Sequence, residues 1–185
     1  MKTENSRITI HMVSSLDGFI AKKDGSVSWM QSKDYYENGI ELTKEYIAEF
    51  LESIDCYIMG SRTYEHAIEF GWPYGEVPVL VLTNRNLKSD KKNVQFMSGD
   101  LNKIVSEQLK TQYKNIWMVG GTILTKEFIR LGLADEINIT IVPTLIGNGL
   151  LFFDYIGKEV LLHLKDLTAF KDGMVEIVYE IEKNE

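Results

Sequence analysis

Three short segments carry the residue types that hold a phosphorylated ligand. In Met59-Gly60-Ser61-Arg62-Thr63, a glycine admits close backbone approach, Ser61 and Thr63 offer hydroxyls, and the Arg62 guanidinium can fork onto phosphate oxygens. In Val119-Gly120-Gly121-Thr122, two glycines stand where a strand-like run gives way to a helix-like one. Free N–H groups and the positive end of the helix dipole make such a start an anion site. Thr83-Asn84-Arg85 follows the apolar run 77–82 and adds a hydroxyl, an amide and a second guanidinium. A fourth segment, Ser14-Ser15-Leu16-Asp17-Gly18, has Trp29 downstream. Asp17 either turns the chain, as Asp-Gly pairs commonly do, or orients a polar ring, a ribose or a proton donor. Each segment alone is an ordinary turn. Together, the first three read as a nucleotide cradle divided over several strand ends.

The surrounding sequence supplies the elements to position them. Residues 7–14 alternate and are rich in β-branched side chains, which predicts a strand ending at Ser15-Leu16-Asp17-Gly18. Residues 22–32 are polar, with Asp24-Gly25 as a turn. Tyr46, Ile47, Phe50, Leu51 and Ile54 fall on one helical face, and a short buried strand is expected over 55–59. A second helix opens at Gly60-Ser61. Strands are expected at 77–82 and 94–97, and Asp100 stands as the N-cap of a helix that turns Leu101, Ile104, Val105 and Leu109 inward. A strand at 116–119, the Gly120-Gly121 turn and a helix over 122–131 follow, with Gly132 at the helix C′ position. Beyond it, Ile137, Ile139 and Ile141 alternate up to Pro143, and Lys171-Asp172-Gly173 joins two alternating runs as a hairpin. Strand–helix alternation over the first two-thirds implies a parallel sheet, and the last third adds antiparallel strands. The expected class is α/β: a mixed, mostly parallel sheet with helices on both faces, in one domain over 1–185.

Composition bounds the partners. Among 185 residues, 27 acids oppose 20 bases, for a net charge of −7. With no basic stripe, nucleic acid is a poor partner, because binding it rests on neutralising phosphates. The single cysteine, Cys56, lies among apolar residues and suits a reducing compartment as a buried thiol. Residues 1–7 are polar and precede no apolar leader run, and no apolar stretch is long enough to cross a bilayer, so a cytoplasmic protein is expected. His11, His66 and His163 have no metal-ligand spacing, so no metal is expected. There is no Walker loop, no G-x-S-x-G elbow and no complete Rossmann fingerprint; Gly147-Asn148-Gly149 lacks the third glycine.

These features, in this order, resemble the dihydrofolate reductase-like superfamily. The nearer similarity is to the reductase domain of riboflavin-biosynthesis deaminase/reductases and its stand-alone relatives. Residues 15–21 and 24–29 look like that group's opening signature. Met59 to Glu65 looks like the Gly-Arg-x-Thr segment of dihydrofolate reductases, Val119 to Thr122 like the superfamily's Gly-Gly turn, and Pro143 to Phe152 like its Pro-x-x-x-Gly-x-Gly…Phe stretch. The resemblance runs from about residue 7 to 182. It implies a three-layer dihydrofolate reductase-like fold, NADPH as cofactor, and hydride transfer to a small heterocyclic substrate, most like 5-amino-6-(5-phosphoribosylamino)uracil.

On that resemblance, Val119, Gly120, Gly121, Thr122 and Ile123 would lie at the cofactor pyrophosphate. Gly60, Ser61, Arg62 and Thr63 would hold the adenine-side phosphates. Thr83, Asn84 and Arg85 would sit near the adenosine, with Arg62 or Arg85 on the 2′-phosphate. Asp17 and Ser15 would face the nicotinamide and substrate. The riboflavin-pathway reductases commonly carry a lysine six residues before this aspartate, where the present sequence has His11. The folate enzymes use a carboxylate on their first long helix, for which Glu45 is an unaligned substitute. Proton donors are therefore water, Glu45 or His11. A dihydrofolate or pterin reductase, and an NADP-binding regulatory protein without turnover, stay open as alternatives. Related stand-alone reductases tend to be dimers, and the apolar run Leu150-Leu151-Phe152-Phe153 offers a surface for a second copy, so a homodimer is expected.

Overall fold

The computed structural model describes residues 6–153 and 155–183; most of the polar segment 1–7 lies outside that range. The chain runs β1 (Arg7–Ser15), β2 (Phe19–Ala21), a 3-10 turn (Ser28–Met30), α1 (Lys44–Glu52), β3 (Cys56–Gly60), α2 (Ser61–Glu69), β4 (Val79–Leu82) and β5 (Val94–Met97). It continues with α3 (Leu101–Lys103), a π turn (Ile104–Leu109), α4 (Lys110–Gln112), β6 (Asn115–Gly120), α5 (Thr122–Arg130), β7 (Glu136–Val142), β8 (Leu150–Leu151), β9 (Leu162–Ala169) and β10 (Val175–Ile181).

Eight strands form one sheet in the order β5-β4-β3-β6-β1-β7-β10-β9. The first six are parallel, and β10 is antiparallel to both β7 and β9. Chain order reverses between β3 and β6: β3 leads through α2 outward to β4, while β6 leads through α5 the other way to β7. Ligands of open α/β sheets bind beyond the strand ends at such a switch point.

The parallel strands are apolar on both faces because helices cover both. On one face Ile10, Ile58, Ile116 and Met118 pack with Val105 and Leu109 of the π turn and Phe128 and Ile129 of α5. On the other, Tyr57, Met59, Val79 and Val81 pack with Tyr64 of α2. Cys56 is fully buried, and burial pushes its thiol pKa up to about 12, which leaves it protonated and inert. Asp100 caps its helix as expected, its carboxylate accepting the N–H groups of Asn102 and Lys103. That helix continues as a π turn, which the periodicity did not indicate.

Two expectations change. The apolar face read for α1 is largely uncovered: Tyr46, Ile47 and Leu51 stay exposed, although Tyr46 touches Phe170, while Phe50 reaches inward onto the rings of His11 and Trp117 and Ile54 packs on the core. The short strands β2 and β8, absent from the sequence reading, pair as a separate two-stranded sheet. Gly149 permits this, since any Cβ there would strike the Ala21 carbonyl.

Candidate functional site

The two glycine-led junctions meet at the switch point. Met59 pairs in register with Gly120, so Gly60, the last residue of β3, lies beside Gly121, the residue that follows β6. A Cβ built on Gly121 would lie 3.5 Å from the Thr63 hydroxyl, and one on Gly120 would lie 3.1 Å from Met12 Cε. Gly120 also has φ of 113°, a conformation that L side chains rarely adopt. From here α2 and α5 descend on opposite faces of the sheet. Each starts at a glycine N-cap with no side-chain capping bond, so the first N–H groups of both are available to an anion. Ser61, Thr63, Gly121 and Thr122 are half-buried around this cleft, and Ile123 is exposed at its rim.

Thr83, Asn84 and Arg85 follow β4 one strand further out. Thr83 and Asn84 line a cavity of about 240 Å³ whose other walls include Leu82, Met97, Ser98 and Leu124. Arg85 points elsewhere. Its guanidinium donates to both carboxylate oxygens of Glu65 on α2, at 2.9 and 2.6 Å. That bidentate bond holds the Glu65 carboxyl below, and Arg85 above, their ordinary pKa values. Arg62 is exposed and makes no hydrogen bond or ion pair among the described residues, although its charge reaches Glu65.

Asp17 is wholly engaged by its own chain. Its carboxylate accepts the Ser15 hydroxyl at 2.6 Å and the backbone N–H groups of Gly147 at 2.7 Å and Ile146 at 3.1 Å. The Ser15 bond first, then the two backbone donors, hold its pKa below the usual carboxylate value. Ser15 in turn accepts the Phe19 N–H. Asp17 and Ser15 therefore join the β1 turn to the loop after β7.

His11 lies on β1 beneath α1. Its ring stacks on Trp117 at 4.7 Å and meets the Phe50 edge at 4.8 Å. Burial lowers its pKa to about 4, so it is neutral at pH 7. Its Nε2 lies 3.9 Å from Glu176, whose other oxygen accepts the Tyr46 hydroxyl at 3.3 Å. Three buried side-chain atoms among the described residues have no hydrogen-bond partner: His11 Nδ1, Asn138 Oδ1 and Trp29 Nε1. His11 and Asn138 are register partners in the β1–β7 ladder. Glu45 is exposed on the first turn of α1; its neighbour Tyr46 is the residue that reaches the sheet.

The structure thus brings together the residues of the two glycine junctions, sets Thr83 and Asn84 on an adjoining cavity, and ties Arg85 to Glu65. It keeps Glu45 out on the helix surface. Sequence reasoning missed Glu65, Asn138, Trp117, Tyr46 and Glu176. Glu65 was visible as the last residue of the Gly60 segment; the others are separated by too much chain to be associated by spacing. Among the described residues, no cluster of His, Cys, Asp and Glu could hold a metal ion.

The strand order, the switch point and the paired glycine junctions define an α/β protein with a dihydrofolate reductase-like fold. Dihydrofolate reductase from Enterococcus faecalis superposes with a TM-score of 0.59 at 13% identity, covering 97% of this chain and 98% of that one. The chain belongs to the RibD C-terminal domain family, which it matches over residues 6–176. The uncharacterized protein YwjB of Bacillus subtilis is 30% identical over 167 residues, 89% of this chain and 92% of its own. A Shewanella sp. PV-4 protein named for riboflavin biosynthesis superposes with a TM-score of 0.81 at 24% identity, over 96% of this chain and 99% of that one.

Proposed function

We propose that the protein is a reductase that binds NADPH across the β3–β6 switch point and transfers hydride to a small heterocyclic substrate. The observation that carries this is the adjacency of Gly60 and Gly121, which presents two uncapped helix starts to one cleft. No phosphate-binding lysine or metal is needed there, because backbone N–H groups and helix dipoles supply the field. Bound NADPH would supply the hydride. The chain's part is to hold the pyrophosphate at Gly120, Gly121, Thr122 and Ser61, to seat the adenosine near Thr83 and Asn84, and to keep the Asp17-pinned loop over the nicotinamide end. The unpaired His11 Nδ1 and Asn138 Oδ1 offer hydrogen bonds to a polar ring edge.

Membership of the family supports a substrate among riboflavin precursors, with 5-amino-6-(5-phosphoribosylamino)uracil first and a dihydropterin second. One observation favours a different outcome. The position at which the riboflavin-pathway reductases commonly carry a lysine is His11, neutral and enclosed by aromatic rings, so a cation is lost there. That change fits an NADP-binding protein without turnover. Titration with NADPH tests the cofactor site: at about 100 times Kd a ligand adds about 2.7 kcal/mol of stability, so an unchanged Tm at saturating NADPH overturns the proposal. Following NADPH oxidation at 340 nm with a uracil, pterin and folate panel separates enzyme from binder.

The same reading includes a homodimer in the cytoplasm, where a lone reduced thiol is ordinary. The run 150–153 contributes less to this than its composition implied, because Phe152 fills the chain's own core at 1% exposure. The stronger support is the face shared by β9 and β10. Leu162, Leu164 and Leu167 are 40, 50 and 59% exposed and lie opposite Ile181, Tyr179 and Ile177. A row of this kind on a long edge strand is a surface that proteins normally cover.

A further inference from the structure

The Glu65–Arg85 pair joins the second turn of α2 to the loop after β4, beside Thr83 and Asn84, to which the cofactor reading assigns the adenosine. Resting on the cofactor reading above, we infer that Glu65 sets the nucleotide preference, competing with a ligand's 2′-phosphate for Arg85 and so narrowing the gap between NADPH and NADH.

Among the described residues Arg62 has no ion pair, whereas Arg85 already uses both arms of its fork on one carboxylate. A 2′-phosphate must therefore take Arg85 from Glu65 and then sit beside the freed carboxylate. Both partners are well exposed, so their ion pair is weak enough to open. The repulsion that follows is not removed, because Glu65 is anchored in the second turn of α2, three residues after Arg62. A nucleotide with a free 2′-hydroxyl meets the opposite situation. Its O–H can donate to the Glu65 carboxylate, the role that an acidic residue commonly fills in NAD sites, and Arg85 need not move. A site with two arginines thus behaves as though it had one plus an acid. NADPH and NADH are expected to bind within about tenfold of each other, a difference of about 1.4 kcal/mol.

Binding of NADPH, NADH, 2′,5′-ADP and 5′-AMP to wild-type protein and to Glu65→Gln, measured by calorimetry at fixed ionic strength, tests this. Glu65→Gln keeps the side-chain length and removes the charge. It is expected to tighten NADPH and 2′,5′-ADP roughly tenfold while leaving NADH and 5′-AMP unchanged or weaker. Arg85→Ala serves as a second variant and should weaken NADPH less than Arg62→Ala does, since Glu65 already engages Arg85. An unchanged NADPH-to-NADH ratio in Glu65→Gln, or equal tightening of both, overturns the inference while the cofactor site stands. If none of the four nucleotides binds wild-type protein, the cofactor reading itself is overturned, and this inference with it.

Discussion

The Asp17 carboxylate accepts the backbone N–H of Gly147 at 2.7 Å, across 130 residues of chain. The turn that ends β1 is thereby fixed to the loop that leaves β7, and both border the end of the sheet where the glycine junctions lie. A residue type read as a candidate for contact with substrate is, in the fold, the residue that positions a loop.

Asp17→Asn tests that positioning role. The amide cannot accept from the Ser15 hydroxyl and both backbone donors as an ionised carboxylate does. The variant is expected to melt several degrees lower and, with a reducible substrate, to turn over roughly tenfold to a hundredfold more slowly with NADPH affinity little changed. The pH dependence has a definite sign. A depressed carboxyl pKa contributes stability above the ordinary value of 3.8 and loses it as pH falls through the lower folded value. Wild-type protein should therefore show a larger acid-side loss of Tm below about pH 4 than Asp17→Asn does.

His11 contributes a second pH dependence at higher pH. Its pKa falls from 6.5 to about 4 on folding, so the unfolded chain takes up the proton first. Stability is lost as pH drops from about 6.5 to about 4, by up to about 3 kcal/mol if the full shift is expressed. Urea unfolding at pH 7.5 and 4.5 should show this loss. His11→Phe, which keeps a ring between Trp117 and Phe50, should reduce it.

Phe128 tests the core beneath α5. It is fully buried against the sheet, and Phe128→Ala removes a ring that its neighbours cannot replace. Unfolding by denaturant should show a loss of roughly 3–5 kcal/mol with the m-value retained.

Leu164 and Leu167 test the proposed dimer face. Each adds little to the protomer's own core, so Leu164→Glu or Leu167→Glu should leave protomer folding intact. Light scattering is expected to give twice the chain mass for wild-type protein and the single-chain mass for either variant. A wild-type monomer excludes the homodimer.

Much of the fold was legible in the chain because its local rules agree. The strand at 7–15 alternates, Asp100 caps where it should, Gly132 takes φ of 67° after α5, and Gly173 takes φ of 78° in the β9–β10 turn. The α1 face was misread because apolar spacing predicts that a face exists without saying whether anything covers it, and most of that face stays uncovered within the protomer. The short strands β2 and β8 were invisible because two or three residues carry no period, and their pairing depends on Gly149 meeting the backbone of Ala21.

For the site, the sequence by itself determined the chemistry on offer. Glycines before helix starts, hydroxyls beside them and arginines nearby are properties of residue type and local order, which short-range steric and dipole effects set. Only the tertiary structure decided which of these groups are free. Register placed Met59 against Gly120 and so joined the two glycine junctions, while α2 brought Glu65 under Arg85 from 20 residues away. Burial between Trp117 and Phe50 fixed His11 as a neutral ring. Hydrogen-bond geometry and desolvation depend on distance in space, and the sheet alone sets that distance.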